Sequence, residues 1–171
     1  MRGVFTWWRV PIYFVCQFAG AIIGAAIVLA MFGKNDAYVG SNIPPPYSTK
    51  YIAFGTEIIG TFMFLIVVFS TARASKIVGA SAALAVGAAY TGISILSSYV
   101  STISLNPTRS LATAIIAGSG PQWDVIWAYI CGPIIGCLLA VLSDRLIVSQ
   151  RGADYRIHHA TYGSGGKISA A

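Results

Sequence analysis

The stretch STISLNPTRSLATAIIAG, residues 101–118, decides how this chain is read. Asn106 is a good helix N-cap, and Pro107 suits the first helical position, where its missing N–H costs nothing. Thr, Leu, Ala and Ile follow, and Gly118 is a fitting stop. The pattern predicts a helix over Pro107–Ala117, about 16 Å long at 1.5 Å per residue. That is about half of a hydrocarbon core of roughly 30 Å. The segment is apolar except at its N-terminal end, so it is expected to enter a membrane and return. Irregular backbone leading into such a half-helix is tolerated at depth only where protein buries it or water bathes it. The helix N-terminus offers free N–H groups and about half a positive charge. Arg109 adds a cation in the same turn, where an acid would suit the helix better. A stacked positive field fits a site that repels cations while donating hydrogen bonds to neutral, oxygen-bearing solutes.

The rest of the chain supplies the membrane segments. Of 171 residues, 56% are hydrophobic and 9% charged, and the mean hydropathy is +0.73. A soluble domain carries about a quarter charged residues to cover its surface. Four stretches reach the roughly 20 apolar residues a span requires: 12–32, 52–72, 77–100 and 125–143. Glu57 is their only charge. The first is longer than the roughly 7–15 residues of a cleaved leader's apolar region, and it contains Gly20-x-x-x-Gly24, a helix-packing pattern. It is read as a retained span. With a cytoplasmic N-terminus, Arg2, Arg9, Arg73, Lys76, Arg145, Arg151, Arg156 and Lys167 fall inside. Lys34, Lys50 and Arg109 fall outside. That bias satisfies the positive-inside rule and puts both termini of a multi-pass cell-membrane protein in the cytoplasm. The net charge of +6 is then topology, with no nucleic-acid signal. Cys16, Cys131 and Cys137 lie in spans without spaced His or carboxylate partners and read as packing residues. No nucleophile–base pair, metal cluster or cofactor motif points to an enzyme.

Between the spans, residues 34–50 form an external connection stiffened by Pro44, Pro45 and Pro46. Residues 73–76 read as a tight cytoplasmic turn. The membrane domain is assigned to 1–148 and a flexible cytoplasmic tail to 149–171, where Gly163, Ser164, Gly165 and Gly166 read as linker. His158 and His159 in that tail are not read as a metal site. The first and last spans echo each other: Gly20-Ala-Ile-Ile-Gly24 against Gly132-Pro-Ile-Ile-Gly136. Such echoes accompany duplicated halves in transporters and channels. If the first span repeats the last, the counterparts of the second and third would precede residue 1. The expectation is an all-α integral membrane protein of four spans and one re-entrant half-helix, an incomplete inverted-repeat bundle.

Ser104-Leu-Asn106-Pro107-Thr108-Arg109-Ser110 closely resembles the second signature loop of the aquaporin superfamily, where Asn-Pro-Ala-Arg is usual. Gln17-x-x-Gly20-Ala-x-x-Gly24 looks like the family's third helix, Glu57-x-x-Gly60-Thr61-Phe62 like its fourth, and Trp127-Ala-Tyr129-Ile-Cys-Gly132-Pro133-x-x-Gly136 like its sixth. The resemblance implies a passive channel for water or small neutral solutes, assembled as a homotetramer. Arginine and half-helix dipoles are the family's known means of excluding cations and protons. It implies that Asn106, following on to Pro107, presents its amide to the passing solute. Arg109, Ser94 and Ile103 would form the constriction. Glu57, with Thr61 beside it, would support the re-entrant loop, and Gly20, Gly24, Gly132 and Gly136 would pack helices.

The sequence also departs from the family's pattern. The first Asn-Pro-Ala loop and two helices have no counterpart, so one chain lacks the usual facing pair of half-helices. Thr108 replaces Ala, and Ser94 stands where water channels carry His, which implies a wider constriction. Ser110 and Ala114 match water channels, and Ile130 stands where they often have Trp. Two other readings stay open: a non-conducting truncated remnant of such a channel, and an unrelated four-span transporter or scaffold.

Overall fold

Each apolar run forms a helix: α1 Arg9–Phe32, α2 Lys50–Arg73, α3 Ser81–Ser101, α4 Pro107–Ala117 and α5 Gln122–Tyr162. The computed structural model describes residues 6–33, 40–73, 79 and 81–162, with side chains through residue 148. No strand occurs among the described residues. α1, α2, α3 and the Gln122–Val148 part of α5 are each long and apolar enough to cross a membrane. The chain is an all-α membrane bundle of four long helices and one half-length helix. Its large apolar side chains point outward, among them Leu84, Ile95, Leu96 and Leu138. Water would penalise such a surface, whereas lipid tails accept it.

α2 is the hub, packing on both α3 and α5, while α4 sits between α5 and α1. The α2–α5 contact is close because α5 turns glycines toward α2. A Cβ on Gly132 would lie 2.7 Å from Glu57 Cβ and 3.1 Å from the Phe54 carbonyl oxygen. A Cβ on Gly136 would lie 2.5 Å from the Ile58 carbonyl oxygen and 2.9 Å from Thr61 Cβ. Only glycine lets the two backbones approach so far. Toward the start of both helices, Ala53, Ala128 and Tyr129 are fully buried, and Phe54 packs beside Trp127 with ring centres 5.2 Å apart and planes tilted by 42°. Pro133 removes one helical N–H in mid-span, which a membrane helix tolerates where neighbours compensate.

The structure bears on two expectations. Residues 149–171 were assigned to a flexible tail, yet the helical backbone of α5 continues to Tyr162. No proline and only Gly152 interrupt 149–162, so nothing stops the helix before Gly163. The division at 148 marks where α5 leaves its apolar stretch rather than where it ends. Gly20 and Gly24, expected to pack helices as Gly132 and Gly136 do, face open space: a Cβ on either meets no heavy atom within 4 Å among the described residues. α1 rests on α4 instead, and Ala25 is its one buried residue. The turn after Arg73, Arg2, Lys34, Lys167 and the 163–166 linker lie outside the described residues, as do the side chains of Arg151, Arg156, His158 and His159.

Candidate functional site

The segment between α3 and α4 is irregular and strained. Thr102 and Leu105 have φ of 45° and 56°, left-handed values that cost a residue with a side chain about 1–3 kcal/mol each. Contacts from three other parts of the chain hold this shape. Glu57 of α2, fully buried, accepts the Ser104 N–H on Oε1 at 2.7 Å and the Leu105 N–H on Oε2 at 2.8 Å. The Tyr129 hydroxyl of α5, also fully buried, donates to the Ser101 carbonyl and lies 3.3 Å from Thr102 Oγ1. From the connection before α2, Asn42 Nδ2 donates to the Thr102 carbonyl, and Thr102 Oγ1 donates to the Ile43 carbonyl at 3.1 Å. The main chain of Ile103 makes no hydrogen bond among the described residues. Irregular backbone at membrane depth is tolerated only where protein buries it or it lines a watery cavity.

Asn106 then caps α4. Its Oδ1 accepts the N–H groups of Thr108 at 3.0 Å and Arg109 at 3.4 Å, and its φ of −143° is extended, as an N-cap requires. Because Oδ1 is committed to the cap, the amide Nδ2 is the group turned outward, and the residue is exposed. Ser104 Oγ donates to the Asn106 carbonyl at 2.9 Å and Ser110 Oγ donates to Ser104 Oγ at 2.5 Å, so the cap is braced from behind by two buried hydroxyls. Arg109, in the first turn, donates from Nη1 to Asn42 Oδ1 at 2.5 Å.

Neighbours fix the depth of this helix start. α2 has 24 residues, about 36 Å at 1.5 Å each, and Gly60 and Thr61 lie at its middle. A Cβ on Gly60 would meet Leu105 Cδ2 at 2.9 Å and Ile103 Cδ1 at 3.0 Å. Leu105 and Pro107 share an apolar groove of about 370 Å³ with Thr61, Phe64, Pro133 and Ile134. α4 therefore begins at mid-length of the spanning helices. It ends at Gly118, whose carbonyl accepts Gln122 Nε2 at 2.7 Å and Trp123 Nε1 at 2.8 Å from the first turn of α5.

The profile of the Major intrinsic protein (MIP) family matches residues 1–143. The chain belongs to the major intrinsic protein family. Aquaporin NIP1-1 of Zea mays is 30% identical over 145 residues, covering 85% of this chain and 50% of that protein. Aquaporin PIP1-2 of Musa acuminata subsp. malaccensis is 34% identical over 149 residues, covering 82% and 51%. Aquaporin NIP2-3 of Zea mays is 35% identical over 134 residues, covering 78% and 42%. The chain spans about half the length of the curated relatives it matches.

Within this member of the family, Asn106, Pro107, Arg109 and Ile103 gather at the start of α4, with Glu57 directly behind them. Ser94 lies on α3, half-buried, its hydroxyl without a hydrogen-bond partner among the described residues. Thr61, expected to support the loop with Glu57, makes no hydrogen bond to it. Its Oγ1 is unpaired among the described residues, and it serves as an apolar wall of the groove and a contact for Gly136. Asn42, Tyr129, Ser104 and Ser110 carry much of the site; the sequence reading passed over Asn42, quoted Ser104 and Tyr129 only within motifs, and took Ser110 only as a match to water channels. A tyrosine in mid-span needs a partner for its hydroxyl, which is a usable signal for Tyr129. Asn42 offers none: it looks like any asparagine in a proline-rich connection.

Proposed function

We infer that this protein, in its assembled form, is a passive transmembrane channel for water or small neutral solutes. The observation that carries the reading is the start of α4 at mid-length of the spanning helices, with a capped Asn106 amide and the Arg109 cation side by side. Asn106 Nδ2 donates a hydrogen bond to a passing oxygen, and the unpaired main chain of Ile103 belongs to the same wetted wall. Arg109 and the α4 N-terminus repel cations and protons. Ser94 and Ile103 contribute small and apolar walls, so the constriction selects by charge more than by size. Glu57 holds the loop that presents these groups. The protein resides in the cell membrane with both termini cytoplasmic and assembles as a homotetramer, residues 1–148 forming the channel and the remainder a cytoplasmic extension.

One observation favours a second reading, in which the chain by itself does not conduct. The described residues contain a single half-helix, and the groove beside Leu105 and Pro107 is open. The path is sealed from lipid only when a second half-helix covers that groove.

Osmotic shrinkage of liposomes containing the purified chain tests both readings. Shrinkage faster than in empty vesicles, with a low activation energy and no saturation for a permeant such as glycerol or urea, supports the channel. Saturable, gradient-coupled uptake contradicts it. Shrinkage equal to that of empty vesicles supports the non-conducting reading.

A further inference from the structure

The geometry points to Asn42 as the residue that positions the Arg109 guanidinium. Arginine can only donate and the Thr102 carbonyl can only accept, so the orientation of the Asn42 amide follows from chemistry. Its Oδ1 takes Arg109 Nη1 at 2.5 Å and lies 2.9 Å from Ser110 Oγ, whose single proton goes to Ser104, while Nδ2 donates to the Thr102 carbonyl. A single side chain, 2% exposed, therefore ties the strained segment to the first turn of α4. The connection that carries it is itself anchored. Ser41 Oγ donates to the Thr113 carbonyl at 3.1 Å, and Ser48 Oγ donates to the Val100 carbonyl at 2.6 Å. Pro44, Pro45 and Pro46 stiffen the chain between these two points. On the preceding residue but one, Gly40 has φ +72°, and a Cβ there would stand 3.9 Å from Arg109 Nη2.

An arginine side chain is long and flexible, so its charge reaches a fixed point only if something selects one rotamer. A carboxylate would do this but would cancel the positive field. A neutral amide oxygen on a rigid, buried support holds the guanidinium and leaves its charge whole. Asn42 is thus a positioning residue that acts through Arg109. Its consequence for selectivity rests on the channel reading, whereas the positioning does not.

The test uses the full chain in lipid nanodiscs and the arginine-selective reagent phenylglyoxal, with modification read by peptide mass spectrometry. Exposed Arg145 serves as the internal reference. Arg109 reacts about tenfold more slowly than Arg145 in the native chain, the size expected for one charged hydrogen bond. Asn42→Ala removes most of that protection. Asn42→Asp, which keeps the acceptor and loses the donor to Thr102, retains it. Ser48→Ala also frees one anchor of the connection but leaves Arg109 slow. Arg109 reacting as fast as Arg145 in the native chain overturns the assignment, as does equal loss of protection in Ser48→Ala and Asn42→Ala. If the alanine variant fails to fold, Asn42→Asp decides: protection kept supports the role and protection lost overturns it. Liposome flux is measured in parallel, where Asn42→Asp raises proton leak relative to water flux by partly cancelling the Arg109 charge. A native chain without flux removes the channel reading and leaves the reactivity result standing.

Discussion

Replacing Gly132 with alanine tests how the site is built. The new Cβ would stand 2.7 Å from Glu57 Cβ and 3.1 Å from the Phe54 carbonyl oxygen. Ordinary carbon contacts need about 3.5–4.0 Å, and neither neighbour is the free end of a flexible side chain. α2 and α5 must therefore part by about 1 Å. Overpacking of this kind costs about 1–3 kcal/mol. The same movement stretches the Glu57 hydrogen bonds from 2.7 and 2.8 Å beyond the useful range of about 3.2 Å. Each bond to a charged group contributes about 1.5–3 kcal/mol. Alanine recovers at most about 1 kcal/mol of helix propensity. The net expectation is a loss of about 3 kcal/mol or more. Gly24→Ala is the matched control, since its Cβ meets nothing within 4 Å, and it is expected to be neutral or slightly stabilising. Denaturant unfolding in mixed micelles, followed by the fluorescence of Trp123 and Trp127 with Trp7 and Trp8 replaced by phenylalanine, reads both variants. Combining Gly132→Ala with Glu57→Gln gives less than the sum of the separate losses if the cost travels through Glu57. Equal stability of the Gly132 and Gly24 variants refutes the close-packing argument, and strict additivity refutes the link to the loop.

Other substitutions probe the remaining contacts. Glu57→Leu strands two buried N–H groups and costs about 3 kcal/mol or more, whereas Glu57→Gln keeps an acceptor and loses less; the order is read from thermal unfolding, and a harmless leucine sinks the support role. Tyr129→Phe leaves the Ser101 carbonyl without its donor and costs about 1–3 kcal/mol, seen in the same assay. Arg109→Val raises proton leak in proteoliposomes while neutral-solute flux persists; unchanged leak with collapsed flux makes Arg109 a structural anchor.

The sequence was most legible where the signal is local. The cap, first turn and stop of α4 lie within residues 106–118, and the helix forms over Pro107–Ala117 with Asn106 capping it. The four spans were legible because lipid demands long apolar runs, and Glu57 stood out as the single charge among them. What escaped depends on tertiary contact. The Asn42 and Arg109 partners are 67 residues apart, and no periodicity connects them. The twin glycine motifs read alike, yet only the second finds a neighbour among the described residues, because a motif records that backbones can approach and not that a partner is present. Thr61 was grouped with Glu57 through the family resemblance. Four residues on, it shares that face of α2 but stands about 6 Å further along the axis, so it meets the groove and Gly136 instead.

The irregular segment from Thr102 to Asn106 has almost no backbone pairing of its own, and that fact organises the site. Two left-handed residues cost about 1–3 kcal/mol each, and the loop's N–H groups would be orphaned inside the bundle. Glu57 alone accepts two of them, with charge-assisted bonds worth about 1.5–3 kcal/mol apiece, which offsets a strain of the same size. Every anchor comes from elsewhere: α2 supplies Glu57, α5 supplies Tyr129, and the connection before α2 supplies Asn42. The shape of this segment is therefore a property of the packed bundle and not of the signature loop. It follows that the loop's own residues set which groups the site presents, while residues outside it set where those groups stand. A change such as Gly132→Ala, outside the loop, should alter the site as surely as a change at Ile103. The motif Asn-Pro-Thr-Arg is then necessary for the site but not sufficient: transplanted with residues 102–105 but without Glu57, Tyr129 and Asn42, the two left-handed residues would relax and the Asn106 amide would shift.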